Sequence, residues 1–129
     1  MTHYRTFLIA AALIMLSGVA AGAFGAHALA HRLAAAQTSM WQTAVLYQLV
    51  HGLGLVGLAS LAIRLPSSLL SLAANLMLTG IILFSGSLYA LSLSGSKWLG
   101  PLTPIGGLCL ISSWAFVAIA GYRAKRQEE

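Results

Sequence analysis

Apolar residues fill this chain in four long runs, and polar residues collect in the short gaps between them. The runs cover about residues 7–28, 41–63, 69–93 and 105–122, each near the roughly 17–25 residues that a helix needs to cross a bilayer. Charge follows the same pattern. From Thr6 to Ile63 the only full charge is Arg32, and from Leu65 to Tyr122 the only one is Lys97. No Asp occurs, and the only Glu residues are Glu128 and Glu129. The pattern predicts an all-α membrane protein: four transmembrane helices in a compact bundle with short loops. The whole chain, residues 1–129, reads as a single transmembrane domain.

The gaps carry their own signals. Leu29 to Met40 holds His31, Arg32, Gln37, Thr38 and Ser39, and its length and alanine content predict a short interfacial helix. Arg64 to Ser68 predicts a tight turn, because Pro66 cannot continue a helix and Ser67 or Ser68 can cap the next one. Ser94 to Pro104 is a loop rich in Gly, Pro and Ser. Tyr4, Trp41 and Trp98 are placed to sit at headgroup level. Residues 123–129 read as a solvated tail.

Composition narrows the class further. The chain of 129 residues is 59% hydrophobic and 7% charged, with mean hydropathy +0.87. Ordinary globular domains carry roughly 25% charged residues, so little length is left for a soluble part. The net charge of +5 does not point to nucleic acid, because the basic residues stand mostly singly at the ends of apolar runs. That is where membrane proteins keep Lys and Arg for orientation and for contact with anionic headgroups. Arg5, Arg64, Arg123, Lys125 and Arg126 fall on one side, Arg32 and Lys97 on the other. In a plasma (bacterial inner) membrane this asymmetry puts both termini in the cytoplasm. A rival reading takes Met1 to Ala23 as a cleaved signal peptide; the apolar run continues past the candidate site to Ala30, longer than a typical signal core. Cys109 is the lone cysteine, so no internal disulfide forms.

Small residues mark places where backbones can approach. Gly18 and Gly22 stand four apart in the first run, with Ala21 and Gly25 beside them. They read as helix-packing positions, with a homo-oligomer face as the alternative.

Polar side chains inside a bilayer are costly without partners, so their depth is informative. Counted at 1.5 Å rise per residue, the larger ones gather in the outer half: His27, Tyr47, Gln48, His51, Ser85, Ser87, Tyr89 and Thr103. Ala44, Gln48, His51 and Leu55 share one helical face, which should point into the bundle. Two readings compete for this cluster. In one, the groups satisfy one another and lock helix register. In the other, they form a polar site open to the outer face, where His27 and His51 bind a ligand or titrate.

Catalytic chemistry finds little support. Two intramembrane His residues without a carboxylate or a second Cys are too few for a closed metal site. Serines are present, but no carboxylate within the membrane could orient a His beside one. No phosphate loop, dinucleotide fingerprint or redox Cys pair occurs. No cofactor, no metal and no enzymatic activity are expected. A faint echo between Phe24 to Leu29 and Phe84 to Leu91 carries no weight, since short stretches rich in small residues match by chance.

Four motifs in order carry a resemblance. Gly22 to His27, then Trp41 to Ala44 with Tyr47, Gln48 and His51, then Leu83 to Tyr89, then Thr103 to Gly107 with Trp114 and Ala115 are similar to the YgdD-like family of small inner-membrane proteins of unknown function, which has eukaryotic transmembrane relatives. The resemblance covers nearly the whole chain, Phe7 to Arg126. It implies a four-helix protein of the bacterial inner membrane and supplies no activity, substrate or catalytic residue. Three roles remain open: a structural or accessory protein that binds itself or another membrane protein, a small-solute or lipid binder or permease using the outer polar cluster, and, least supported, an intramembrane enzyme.

Overall fold

A computed structural model describes residues 3–65 and 67–125; Met1, Pro66, Arg126, Glu128 and Glu129, invoked above, lie outside the described residues, as does the side chain of Lys125. Four helices follow in order: α1 (His3–His27), α2 (Ala35–Arg64), α3 (Ser68–Ser94) and α4 (Leu102–Lys125), with a 3-10 turn at Lys97–Leu99 before α4. All four segments are long and apolar enough to cross a membrane. The all-α, four-span fold is therefore present.

Each helix boundary has a local cause. After His27 the amides of Ala28 and Leu29 both reach the carbonyl of Phe24, and a turn through Leu33 follows. The predicted interfacial helix over 29–40 is absent as a separate element. From Ala35 to Arg64 there is no proline to interrupt the helix, so α2 begins at Ala35, well before Trp41. The Gln37 side chain accepts from the amide of Ala34 and so satisfies a donor just outside the first turn. Ser67 caps α3, its hydroxyl oxygen accepting from the amide of Leu69 at 3.2 Å. Gly95 closes α3 at φ 67°, a left-handed conformation that Gly adopts without the Cβ penalty. Pro104 falls in the first turn of α4, where backbone N–H groups have no intrahelical partner to lose.

The helices run up, down, up, down, so His3 and Lys125 lie at one end, the terminal end. The 28–34 and 95–101 connections lie at the other, the distal end. Packing is between chain neighbours: α1 on α2, α2 on α3, α3 on α4, with only slight contact between α1 and α3. Burial follows. The central helices α2 and α3 contribute Leu55, Leu58, Ala73, Met77 and Ile81 to the core, joined by Phe7 and Ala11 of α1 and Leu110 of α4. The flanking helices α1 and α4 leave Leu13, Leu16, Leu108 and Ile111 exposed to lipid.

Candidate functional site

The anticipated stripe on α2 points inward: Ala44, Gln48, His51 and Leu55 are all buried. Gln48 sits at the centre of a three-helix junction. Its amide nitrogen donates to the Ile14 carbonyl and to the Ser17 hydroxyl of α1, both at 2.9 Å. Its amide oxygen accepts from the hydroxyl of Tyr89 on α3 at 2.7 Å. Both N–H groups and the oxygen are thus engaged, which a side chain at depth in a bilayer requires.

His51 makes its bond within α2. Its Nδ1 lies 2.8 Å from the carbonyl oxygen of Tyr47. A carbonyl only accepts, so Nδ1 carries a proton and donates it. The imidazole also stacks on Tyr47, with centroids 5.6 Å apart, and meets Trp114 of α4 in a tilted contact at 6.1 Å, 55° between planes. Tyr47 in turn stacks on Phe84 at 4.4 Å.

Ser87 and Thr103 join α3 to the start of α4 through a bond of 2.6 Å. Ser87 donates its single proton to the Phe84 carbonyl, so Thr103 donates to Ser87. Ser85 donates to the Ala44 carbonyl of α2 at 2.8 Å. The outer-half residues therefore form several separate contacts and not one network. Among the described residues, only Gln48 and Tyr89 bond directly to each other as side chains of the α2–α3 pair. His27 stands apart: it is exposed at the end of α1, and among the described residues no hydrogen bond joins it to this set.

A second group of bonds was not anticipated from the sequence. Trp41 donates through its indole N–H to the Ala21 carbonyl at 2.9 Å, tying α2 to α1. Ser92 donates to the Gln37 carbonyl and Ser113 to the Ala73 carbonyl, each at 2.7 Å. With Ser85 and Gln48, these bonds use the second lone pair of carbonyls within or flanking a neighbouring helix. A sequence signal existed for one pair, because Ser85 and Ser92 are seven apart and so share a face of α3. Among the described residues no buried side-chain nitrogen or oxygen lacks a partner.

Small residues set the helix spacing. A Cβ on Gly18 would lie 2.8 Å from Leu49 Cδ2, one on Gly25 would overlap the Trp41 indole, and one on Gly22 would touch Val45 at 3.4 Å. These three glycines face α2 of the same chain. A close approach to backbone lies elsewhere, where a Cβ on Gly106 would run into the backbone of Phe84. Gly80 meets Leu110 and the Gly106 carbonyl across the same α3–α4 contact.

Two clefts open on the surface. One of about 340 Å³ lies between α1 and α2, lined by residues including Gly22, Leu29, Trp41 and Leu46. The other, about 570 Å³, lies at the terminal end. Neither is lined by Gln48 or His51. Among the described residues no three His, Cys, Asp or Glu side chains come together as metal ligands.

Residues 21–107 match a family described as "Protein of unknown function (DUF423)". The chain belongs to this family. Its relatives within the same group of UPF0382 membrane proteins align almost end to end. A membrane protein of Staphylococcus saprophyticus is 41% identical over 92% of this chain and 98% of its own length. YwdK of Bacillus subtilis is 40% identical over 92% and 98%. The inner membrane protein YgdD of Escherichia coli is 37% identical over 95% and 94%. No solved structure matches the chain. Membership agrees with the resemblance read from the motifs and assigns an integral membrane protein of unknown role.

Proposed function

We propose that this protein is a non-enzymatic accessory component of a plasma membrane, acting by lateral contact with another membrane protein. The observation that carries the reading is the commitment of the polar groups other than His51, whose described bond stays within α2. Gln48, Tyr89, Ser85, Ser87, Ser92 and Ser113 spend their hydrogen bonds on joining helices of the same chain. A transport path or a solute site needs polar groups with bonding capacity left over, and catalysis needs an acid, base or nucleophile with a partner to activate it. What faces outward instead is apolar and continuous along α1 and α4, a surface suited to lipid or to a partner helix. The charge asymmetry supports both termini in the cytoplasm, because five of the seven Lys and Arg residues belong to the terminal side.

Extraction of the full chain in native-lipid discs, followed by mass measurement, tests the proposal. The expected result is a particle of defined mass holding a second protein. Leu16→Trp or Ile111→Trp, on the two outward faces, should release it while the melting temperature stays unchanged. A particle holding one chain and lipid alone, stabilised by a small solute in a manner that His51→Ala abolishes, would replace this reading with a solute-binding one.

A further inference from the structure

We infer that the terminal-end cleft is a binding site for the headgroup of an anionic phospholipid. The cleft, about 570 Å³, lies where the end of α2, the start of α3 and the last turn of α4 meet. That volume is within the range of sites that hold small organic ligands. Arg64 and Arg123 come to it from two different helices. The described residues include no Asp or Glu, so no carboxylate among them neutralises this pair.

Each guanidinium has five N–H donors in a planar fork that fits phosphate oxygens in bidentate fashion. Each stands in the last turn of its own helix, where the helix dipole favours a cation. Ser67 and Ser68 at the start of α3 line the same cleft. The Ser67 oxygen accepts from the Leu69 amide, so its own proton is free to donate to an anion. The positive end of the α3 dipole meets the cleft beside the negative carbonyl ends of α2 and α4, so the two guanidinium charges carry the field.

The walls decide in favour of a lipid over free phosphate. Leu61, Leu65, Leu69 and Val117 line the cleft beside the arginines. The arrangement is a cationic mouth at headgroup depth with an apolar wall running toward the hydrocarbon, which suits a phosphodiester attached to acyl chains. Basic pockets between transmembrane helices take anionic lipids in this way.

The full chain, stripped of lipid in a mild detergent, can be mixed with phosphatidylglycerol, phosphatidylcholine or inorganic phosphate and read by native mass spectrometry and thermal melting. The expected result is one phosphatidylglycerol retained per chain, at least about tenfold more tightly than phosphatidylcholine, a difference of about 1.4 kcal/mol, with a raised melting temperature that phosphate does not reproduce. The double substitution Arg64→Gln with Arg123→Gln should abolish the preference. Arg32→Gln, at the distal end, should keep it. Equal retention of the two lipids overturns the inference, as does a preference that survives the double substitution. Stabilisation by phosphate equal to that by phosphatidylglycerol overturns the lipid assignment. If the double variant does not fold, the wild-type comparison of the two lipids decides, together with Arg64→Lys and Arg123→Lys, which keep the charge and should keep the preference in weakened form.

Discussion

The hydroxyl of Tyr89 on α3 donates to the amide oxygen of Gln48 on α2 across 2.7 Å. The same amide holds α1 through Ile14 and Ser17. One buried side chain therefore links three of the four helices.

Tyr89→Phe removes the donor and leaves the Gln48 oxygen unpaired. Hydrogen bonds between membrane helices are worth about 0.6 kcal/mol on average and up to about 1.7. A loss within that range is expected, with a larger one for Gln48→Leu, which also frees α1. A double-mutant cycle on thermal or denaturant unfolding in detergent should show coupling of about 1 kcal/mol. Strict additivity of the two changes would sink the junction as described.

Gly106→Ala should be among the most damaging single-carbon additions. The new Cβ would meet the backbone of Phe84, which cannot rotate aside as a side chain can. Overpacking of this kind costs about 1–3 kcal/mol. Gly86→Ala, where a Cβ meets nothing within 4 Å, serves as the control and should be neutral or stabilising by up to about 1 kcal/mol, the helix preference for Ala over Gly. Equal melting temperatures for the two variants would contradict the close α3–α4 approach.

Gly18→Leu tests what the small residues of α1 are for. Its side chain would have to displace Leu49 and the Gln48 amide of the same chain. The expected outcome is a lower melting temperature with the particle mass unchanged. A change in oligomer mass without loss of stability would restore these glycines to an intermolecular face.

Orientation can be read by labelling in intact cells. In a Cys109→Ser background, Lys97→Cys should react with a membrane-impermeant maleimide added outside. Leu65→Cys should react only after the membrane is opened. The reverse pattern would invert the topology derived from the Lys and Arg asymmetry.

Much of this was legible in the residues. The four spans were visible because crossing a bilayer demands an uninterrupted apolar length, a one-dimensional property. The inward face of α2 was visible because helical periodicity sets Gln48 and His51 on one side with Ala44 and Leu55. Helix ends were less so. Continuation of α2 back to Ala35 depended on the absence of any breaker, and that signal competes with the polar character of Gln37, Thr38 and Ser39. The partner of each polar group was not legible at all. Ser113 looks like any other hydroxyl in an apolar run, the spacing of Ser92 from Ser85 shows a shared face but no partner, and only the approach of a neighbouring helix turns both into cross-helix donors.

By itself, then, the sequence determined the class of protein, the number of spans, the end at which basic charge accumulates, and the family. These follow from hydropathy, charge and motif order, which need no third dimension. The tertiary structure alone decided that Gly18 and Gly25 serve α1–α2 packing, that Gly106 governs the α3–α4 approach, that His27 stands away from Gln48 and His51, and that Arg64 and Arg123 share one cleft. Residues far apart in the chain meet only when helices choose neighbours. In lipid that choice is made by steric fit and hydrogen bonds between faces, and the period of a single helix does not encode it.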